Sequence, residues 1–277
     1  MVSKEDFSWW SVGYIVDAVV SAIVIIVANV ISDRVLPFRA KIPMSDKNPA
    51  VSFPFLKNSI SSSLNVCISY GSAILTSLFW NLVAHFTYCK PLSESLHDFH
   101  HSVLGVVVSA GVCQLFECIL KVFAGRPRPH FFSRLEEAEK YAIEHNFTQS
   151  KKESYVHSQR IKSYQSFPSG HSATAFCGFT FMALYLCGKI HMWSVQQGYI
   201  QGSTKPKLLQ GNLWKILFVC LPILAASLIA VSRTRDYHHN YSDIVAGSAL
   251  GVFSACIVYF SYFNPLTAEN SDLPKHY

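Results

Sequence analysis

The chain has 277 residues, half of them hydrophobic and only 14% charged, with 20 Phe, 13 Tyr and 5 Trp. A soluble globular domain carries roughly 25% charged residues, whereas long uncharged runs of the ~20 residues that cross a bilayer mark membrane spans; this composition excludes an ordinary soluble domain. The net charge of +6 comes without a Lys/Arg block or an aromatic-interleaved basic strip, which argues against nucleic acid as a partner and for anionic lipids or substrates.

The eight cysteines do not read as a disulfide framework or metal ligands. Cys67, Cys113, Cys118, Cys177, Cys187, Cys220 and Cys256 lie in apolar runs, where cysteine is a small buried hydrophobe; Cys89 alone falls in a connection.

In chain order, a mixed-charge start precedes a first span over 10–31, too long for a cleaved signal peptide, with Asp17 inside it facing headgroups or a neighbouring helix. A proline-punctuated connection, 32–61, then runs along the membrane surface. The second span is 62–86. The connection after it ends in the histidine cluster His97–His101, too crowded for an i, i+4 zinc pair and assigned a structural or interfacial role. The third span, 102–124, carries Glu117 and Lys121 four residues apart, hence on one helical face. It opens into GRPRPHFFSRL, where Pro127 and Pro129 end the helix. Residues 125–167 form the longest polar loop, with one surface helix and the glycosylation sequon Asn146-Phe147-Thr148. Spans at 171–187, 213–231 and 241–263 complete six, and the connection between the first two of these holds Gly198, Gly202, Pro206 and Gly211. The expected fold is all-α, a single membrane-embedded domain over 1–277 whose six transmembrane helices bring three polar motifs to one membrane face.

Those motifs are Lys121–Pro129, Pro168–His171 and Ser232–Asp243. Charged groups at the edge of a bilayer are costly and mark sites. His239 and Asp243 are i, i+4, so a helix starting near His239 lets the carboxylate accept the imidazole Nδ1 proton and present Nε2 as nucleophile; His238, at i+5, is the weaker competitor. Arg233, at the exit of the fifth span, reaches forward as a bidentate anion ligand. Pro168-Ser169-Gly170-His171 opens a helix, whose free N–H groups and dipole seat an anion, with His171 at the rim as general acid. Lys121 and Arg128 add two cations. No carboxylate cluster suits magnesium or zinc, so no metal or other cofactor is expected, and the cations neutralise phosphoryl oxygens instead. These residues describe a metal-free phosphatase.

At these residues the chain resembles the type 2 phosphatidic acid phosphatase superfamily, whose signature KxxxxxxRP, PSGH and SRxxxxxHxxxD stands complete; HDFHHSVLG, GRPRPHFF, SFPSGHS and LYLCGKI extend the likeness to lipid phosphate phosphatases. The resemblance implies magnesium-independent hydrolysis of phosphatidate, diacylglycerol pyrophosphate and lysophosphatidate through a phosphohistidine. In it His239 attacks, His171 protonates the leaving oxygen, Asp243 holds His239, and Lys121, Arg128, Ser169, Gly170 and Arg233 bind phosphate. Alternatives within the superfamily are sphingoid-base phosphate, polyprenyl pyrophosphate or sugar phosphate; a non-catalytic membrane scaffold is the remote one. Two features depart from relatives: Ser133-Arg134-Leu135 stands where many carry a cysteine, and Glu117 is not expected before Lys121. The implied location is an endomembrane (ER, Golgi or vacuole) or the plasma membrane, with the site lumenal or extracellular. The Lys/Arg count, heavier on the motif side, taken alone would put that side in the cytosol.

Overall fold

The computed structural model describes residues 9–39, 48–193 and 213–275. The polar start, Pro43 and the Gly198–Gly211 connection lie outside the described residues. Among the described residues eight helices follow in order: α1 (Val12–Arg34), α2 (Ser62–Tyr88), α3 (Leu92–Ala124), α4 (Phe131–Glu144), α5 (Gln149–Ser163), α6 (Gly170–Lys189), α7 (Leu213–Arg235) and α8 (Tyr241–Tyr262). Among the described residues there is no strand, and the fold is all-helical.

Five helices, α1, α2, α3, α7 and α8, are long and apolar enough to cross a membrane. Their outer faces expose large apolar side chains such as Val27, Leu75, Phe79, Leu221, Leu228 and Val245, a surface that water disfavours and lipid accepts. The chain is an integral membrane protein. Of the six expected spans, the fourth is the exception, because α6 is milder in composition. It packs against α8, α7, α2 and α3 and most of its residues are buried, so polar and small residues such as Thr180, Ser172 and Gly178 cost nothing against lipid there. An inner helix does not need a lipid-compatible surface.

Two boundaries differ from the sequence expectation. α3 begins at Leu92, with Pro91 as its N-cap, so His97–His101 lie inside a helix rather than in a connection. No helix breaker intervenes, and the early polar residues find buried partners. Asp98 is ion-paired to Lys189 at 2.7 Å and accepts from Tyr185 Oη and Asn81 Nδ2, each at 2.6 Å. Lys189 also donates to the Asp272 carbonyl, fastening the C-terminal segment to this end of the bundle. His97, His100 and His101 pack with Trp9 and Tyr14. The polar loop holds two helices, α4 and α5, joined at Asn146, which is exposed with φ 51°. Asp17, inside α1, accepts from Tyr262 Oη of α8 at 2.7 Å. None of the eight cysteines is in a disulfide.

The opposite end of the bundle gathers the three motifs. There α3 and α7 end while α6 and α8 begin. The connection before α2 crosses that end: Phe38 N–H donates to Val122 O at 2.8 Å, and Phe53 N–H to Pro129 O at 3.0 Å.

Candidate active site

A cavity of about 600 Å³ opens at this end, and Lys121, Arg128, Gly170, His171, Arg233 and His239 all line it. It continues between the helices past Tyr70, Val66 and Ile25. Thus α3, α6, α7 and the turn before α8 deliver side chains separated by more than a hundred residues to one space.

Each is placed by local backbone chemistry. Gly125 ends α3 in the left-handed conformation, φ 52°, with its N–H on the Lys121 carbonyl, which releases the chain into Arg126-Pro127-Arg128. Ser169 caps α6: its Oγ lies 3.5 Å from Ser172 N and 3.1 Å from Ser172 Oγ, and its own N–H donates to the Asp243 carbonyl at 2.9 Å. Gly170 follows where Glu117 and Lys121 press against the start of α6; a Cβ there would stand 3.0 Å from Lys121 Nζ and collide with Glu117 Oε1. Only a residue without a side chain leaves this helix N-terminus open beside a cation.

Arg233 is fully buried in the last turn of α7. Its Nη2 meets Asp236 Oδ2 at 2.6 Å, its Nη1 meets Asn58 Oδ1 at 3.0 Å, and its Nε meets Ser232 Oγ at 3.1 Å. Asp236 is in turn held by Ser59, from N–H at 2.7 Å and from Oγ at 2.6 Å. The connection before α2 therefore aims this guanidinium, a brace invisible in sequence because it joins positions about 175 apart. Lys121 pairs with Glu117 along α3, as their spacing predicts.

The nucleophile candidate corrects one sequence expectation. His239 Nδ1 is 2.7 Å from the carbonyl of Ser166 and 3.8 Å from Asp243 Oδ2. The second distance exceeds hydrogen-bond reach, so the carbonyl, not the carboxylate, accepts the Nδ1 proton. The consequence for the ring is the same, since a carbonyl only accepts: Nδ1 carries hydrogen and Nε2 keeps its lone pair. The carboxylate is elsewhere engaged because Asn240 and Asp243 form the capping box of α8. Asp243 Oδ2 accepts from Asn240 N–H at 2.9 Å and from Ser166 Oγ at 2.7 Å; Oδ1 accepts from Arg126 Nη1 at 2.7 Å. Ser166 N–H donates to Arg126 O at 3.0 Å, closing a ring of Arg126, Ser166 and Asp243 around the histidine. Arg126 stands at an unspecified position inside the first motif, and Ser166 lies outside all three. The capping box was readable from Asn240-x-x-Asp243, but the Ser166 contact had no local signal.

Burial, and after it the Arg128 charge, holds the His239 pKa well below the usual imidazole value, so the ring is neutral at pH 7. His238 is spent on structure: its Nε2 is 3.1 Å from Leu56 O and its ring lies 4.6 Å from that of His130. Burial pushes His238 down to about 3 and His130 down to about 2. His171 Nε2 is 3.1 Å from Ile60 O, which leaves Nδ1 as its other ring nitrogen. Glu117, Asp236 and Asp243 each face a cation.

Comparison with known proteins identifies the family. Residues 102–266 match the PAP2 superfamily, a stretch that contains all three motifs. A PA-phosphatase related-family protein of Dictyostelium discoideum is 31% identical over all of this chain and 91% of its own length. Probable lipid phosphate phosphatase 4 of Arabidopsis thaliana is 35% identical over 66% of this chain and 55% of its own. Diacylglycerol pyrophosphate phosphatase 1 of Saccharomyces cerevisiae is 31% identical over 60% of this chain and 53% of its own. The matched regions thus span about half the length of the plant and yeast relatives. No solved structure matches significantly. The chain belongs to the PAP2 superfamily and is a phosphate ester hydrolase.

Proposed function

We propose that the protein is a magnesium-independent lipid phosphate phosphatase acting on phosphatidate, diacylglycerol pyrophosphate and lysophosphatidate through a phosphohistidine at His239. The observation that carries this reading is the neutral, buried His239, whose Nδ1 is committed to a carbonyl while the ring lines a cavity shared with Lys121, Arg128, Arg233 and the α6 N-terminus. Nε2 attacks phosphorus as the bond to the lipid oxygen breaks. His171 in its protonated form, with Nε2–H on the Ile60 carbonyl, gives that oxygen its Nδ1 proton; Nδ1 then takes a proton from the water that cleaves the P–N bond, releasing phosphate and restoring Nε2 of His239. Lys121, Arg128 and Arg233, with the N–H groups after Ser169 and Gly170, hold the equatorial oxygens. Asp243 stabilises the cationic phosphoimidazole through Ser166. The continuation of the cavity past Val66 and Ile25 supports a substrate with an apolar tail.

In this reading α6 spans the membrane as an inner sixth helix, and the site faces the lumen or the exterior. The exposure of Asn146 between α4 and α5 makes its sequon open to glycosylation, which occurs only on that side. The test of function is phosphate release from phosphatidate in mixed micelles with excess chelator. Wild type retains full activity and His239→Ala loses it; activity that vanished with chelator and returned with magnesium would sink the proposal.

A further inference from the structure

The cavity holds a fourth cation that the signature does not contain. Arg134, one turn into α4, lines it together with Lys121, Arg128 and Arg233. Their counter-charges differ. Lys121 has Glu117 and Arg233 has Asp236, whereas among the described residues neither Arg128 nor Arg134 has a carboxylate partner.

Both guanidiniums are instead braced by neutral oxygens on the end of α5 and the residues just after it. Arg128 donates from Nε to Lys162 O at 3.3 Å and from Nη2 to Gln165 O at 3.2 Å. Arg134 donates from Nε and Nη2 to Gln159 Oε1, at 3.3 and 2.9 Å. In each case Nη1 makes no hydrogen bond among the described residues. The two charges also feel one another: after burial, Arg134 is the next cause pulling the Arg128 pKa down, to about 9. Two partly desolvated like charges side by side are unfavourable unless an anion offsets them, and a guanidinium fork with a free edge matches phosphate oxygens.

We infer that Arg134 and the free edge of Arg128 form a second anion subsite, which takes the additional phosphoryl group of a diphosphate ester beside the one held at His239. This rests on the proposed phosphatase site and deepens it: Arg134 sets preference between diphosphate and monophosphate headgroups. A purely structural Arg134, tying α4 to α5 through Gln159, would change stability but not preference.

Binding of inorganic pyrophosphate and of orthophosphate to the full chain in detergent micelles separates these roles without catalysis. Wild type should bind pyrophosphate about tenfold or more tighter than orthophosphate, the range of one or two charge-assisted hydrogen bonds. Arg134→Gln should bring the ratio near one, and Arg134→Lys should keep part of it. In turnover, the kcat/KM ratio of diacylglycerol pyrophosphate to phosphatidate should fall about tenfold or more in Arg134→Gln, measured within one preparation so that partial misfolding cancels. A binding ratio unchanged in Arg134→Gln, or no pyrophosphate preference in wild type, would overturn the subsite. A wild type that bound pyrophosphate preferentially yet hydrolysed neither lipid would leave the subsite standing and overturn the phosphatase reading.

Discussion

Replacing Asp243 by Asn separates two ways in which a carboxylate serves a histidine. Were Asp243 the acceptor of the His239 Nδ1 proton, the amide would favour the wrong tautomer, and a loss of about 10⁴ in kcat is the magnitude for that fault. Here the acceptor is the Ser166 carbonyl at 2.7 Å, which the substitution leaves in place. What remains is charge. A carboxylate 3.8 Å from Nδ1 stabilises a cationic ring by about 4 kcal/mol at an effective dielectric near 20. Arg126, 2.7 Å from the same carboxylate, offsets most of that, leaving about 1–2 kcal/mol, or roughly five- to thirtyfold in kcat. The amide must also present its nitrogen either to Arg126 or to Asn240 N–H, a donor against a donor, at a cost of about 1–3 kcal/mol in stability. Steady-state kinetics on phosphatidate micelles, beside a thermal midpoint for each variant, reads both effects. A loss equal to that of His239→Ala in a protein that is still folded would refute the carbonyl-acceptor account.

Glu117→Gln removes the partner of Lys121 without removing the lysine, so phosphate-ester turnover should stay level or rise; a fall to the level of a Lys121→Ala variant would make Glu117 part of the reacting site. His130, His238 and His239 all have folded pKa values below the unfolded imidazole value. Between pH 6.5 and about 3 the unfolded chain therefore binds more protons than the folded one, and stability present above pH 6.5 is lost as pH falls through that window. The thermal midpoint in detergent should drop steadily from pH 7 to pH 4, and a flat profile would contradict the buried, neutral imidazoles.

How far the sequence carried these conclusions varies by residue. The motifs were legible because their chemistry is local: Glu117 and Lys121 share a helix face, Ser169 caps a helix, and His239 precedes one. The capping box of Asn240 and Asp243 is equally local, and it engages the carboxylate that the i, i+4 spacing alone assigns to His239. Long-range braces left no periodic trace. Ser166 reaches His239 from 73 residues away, and Ser59 reaches Asp236 across 177. The burial of α6 on several sides, which frees it from lipid, shows only once α2, α3, α7 and α8 are packed around it. The start of α3 was placed late because Asp98 and its histidines look like a polar connection until Lys189 arrives from α6 to pair with that carboxylate.

The most direct measurement is to quench turnover of lipid labelled in its phosphate and map the labelled peptide. The account predicts an acid-labile, base-stable phosphoramidate on His239, absent from His239→Ala and accumulating in variants of His171 that slow the water step. Label on another residue, or full turnover by His239→Ala with no phosphoenzyme, would contradict it.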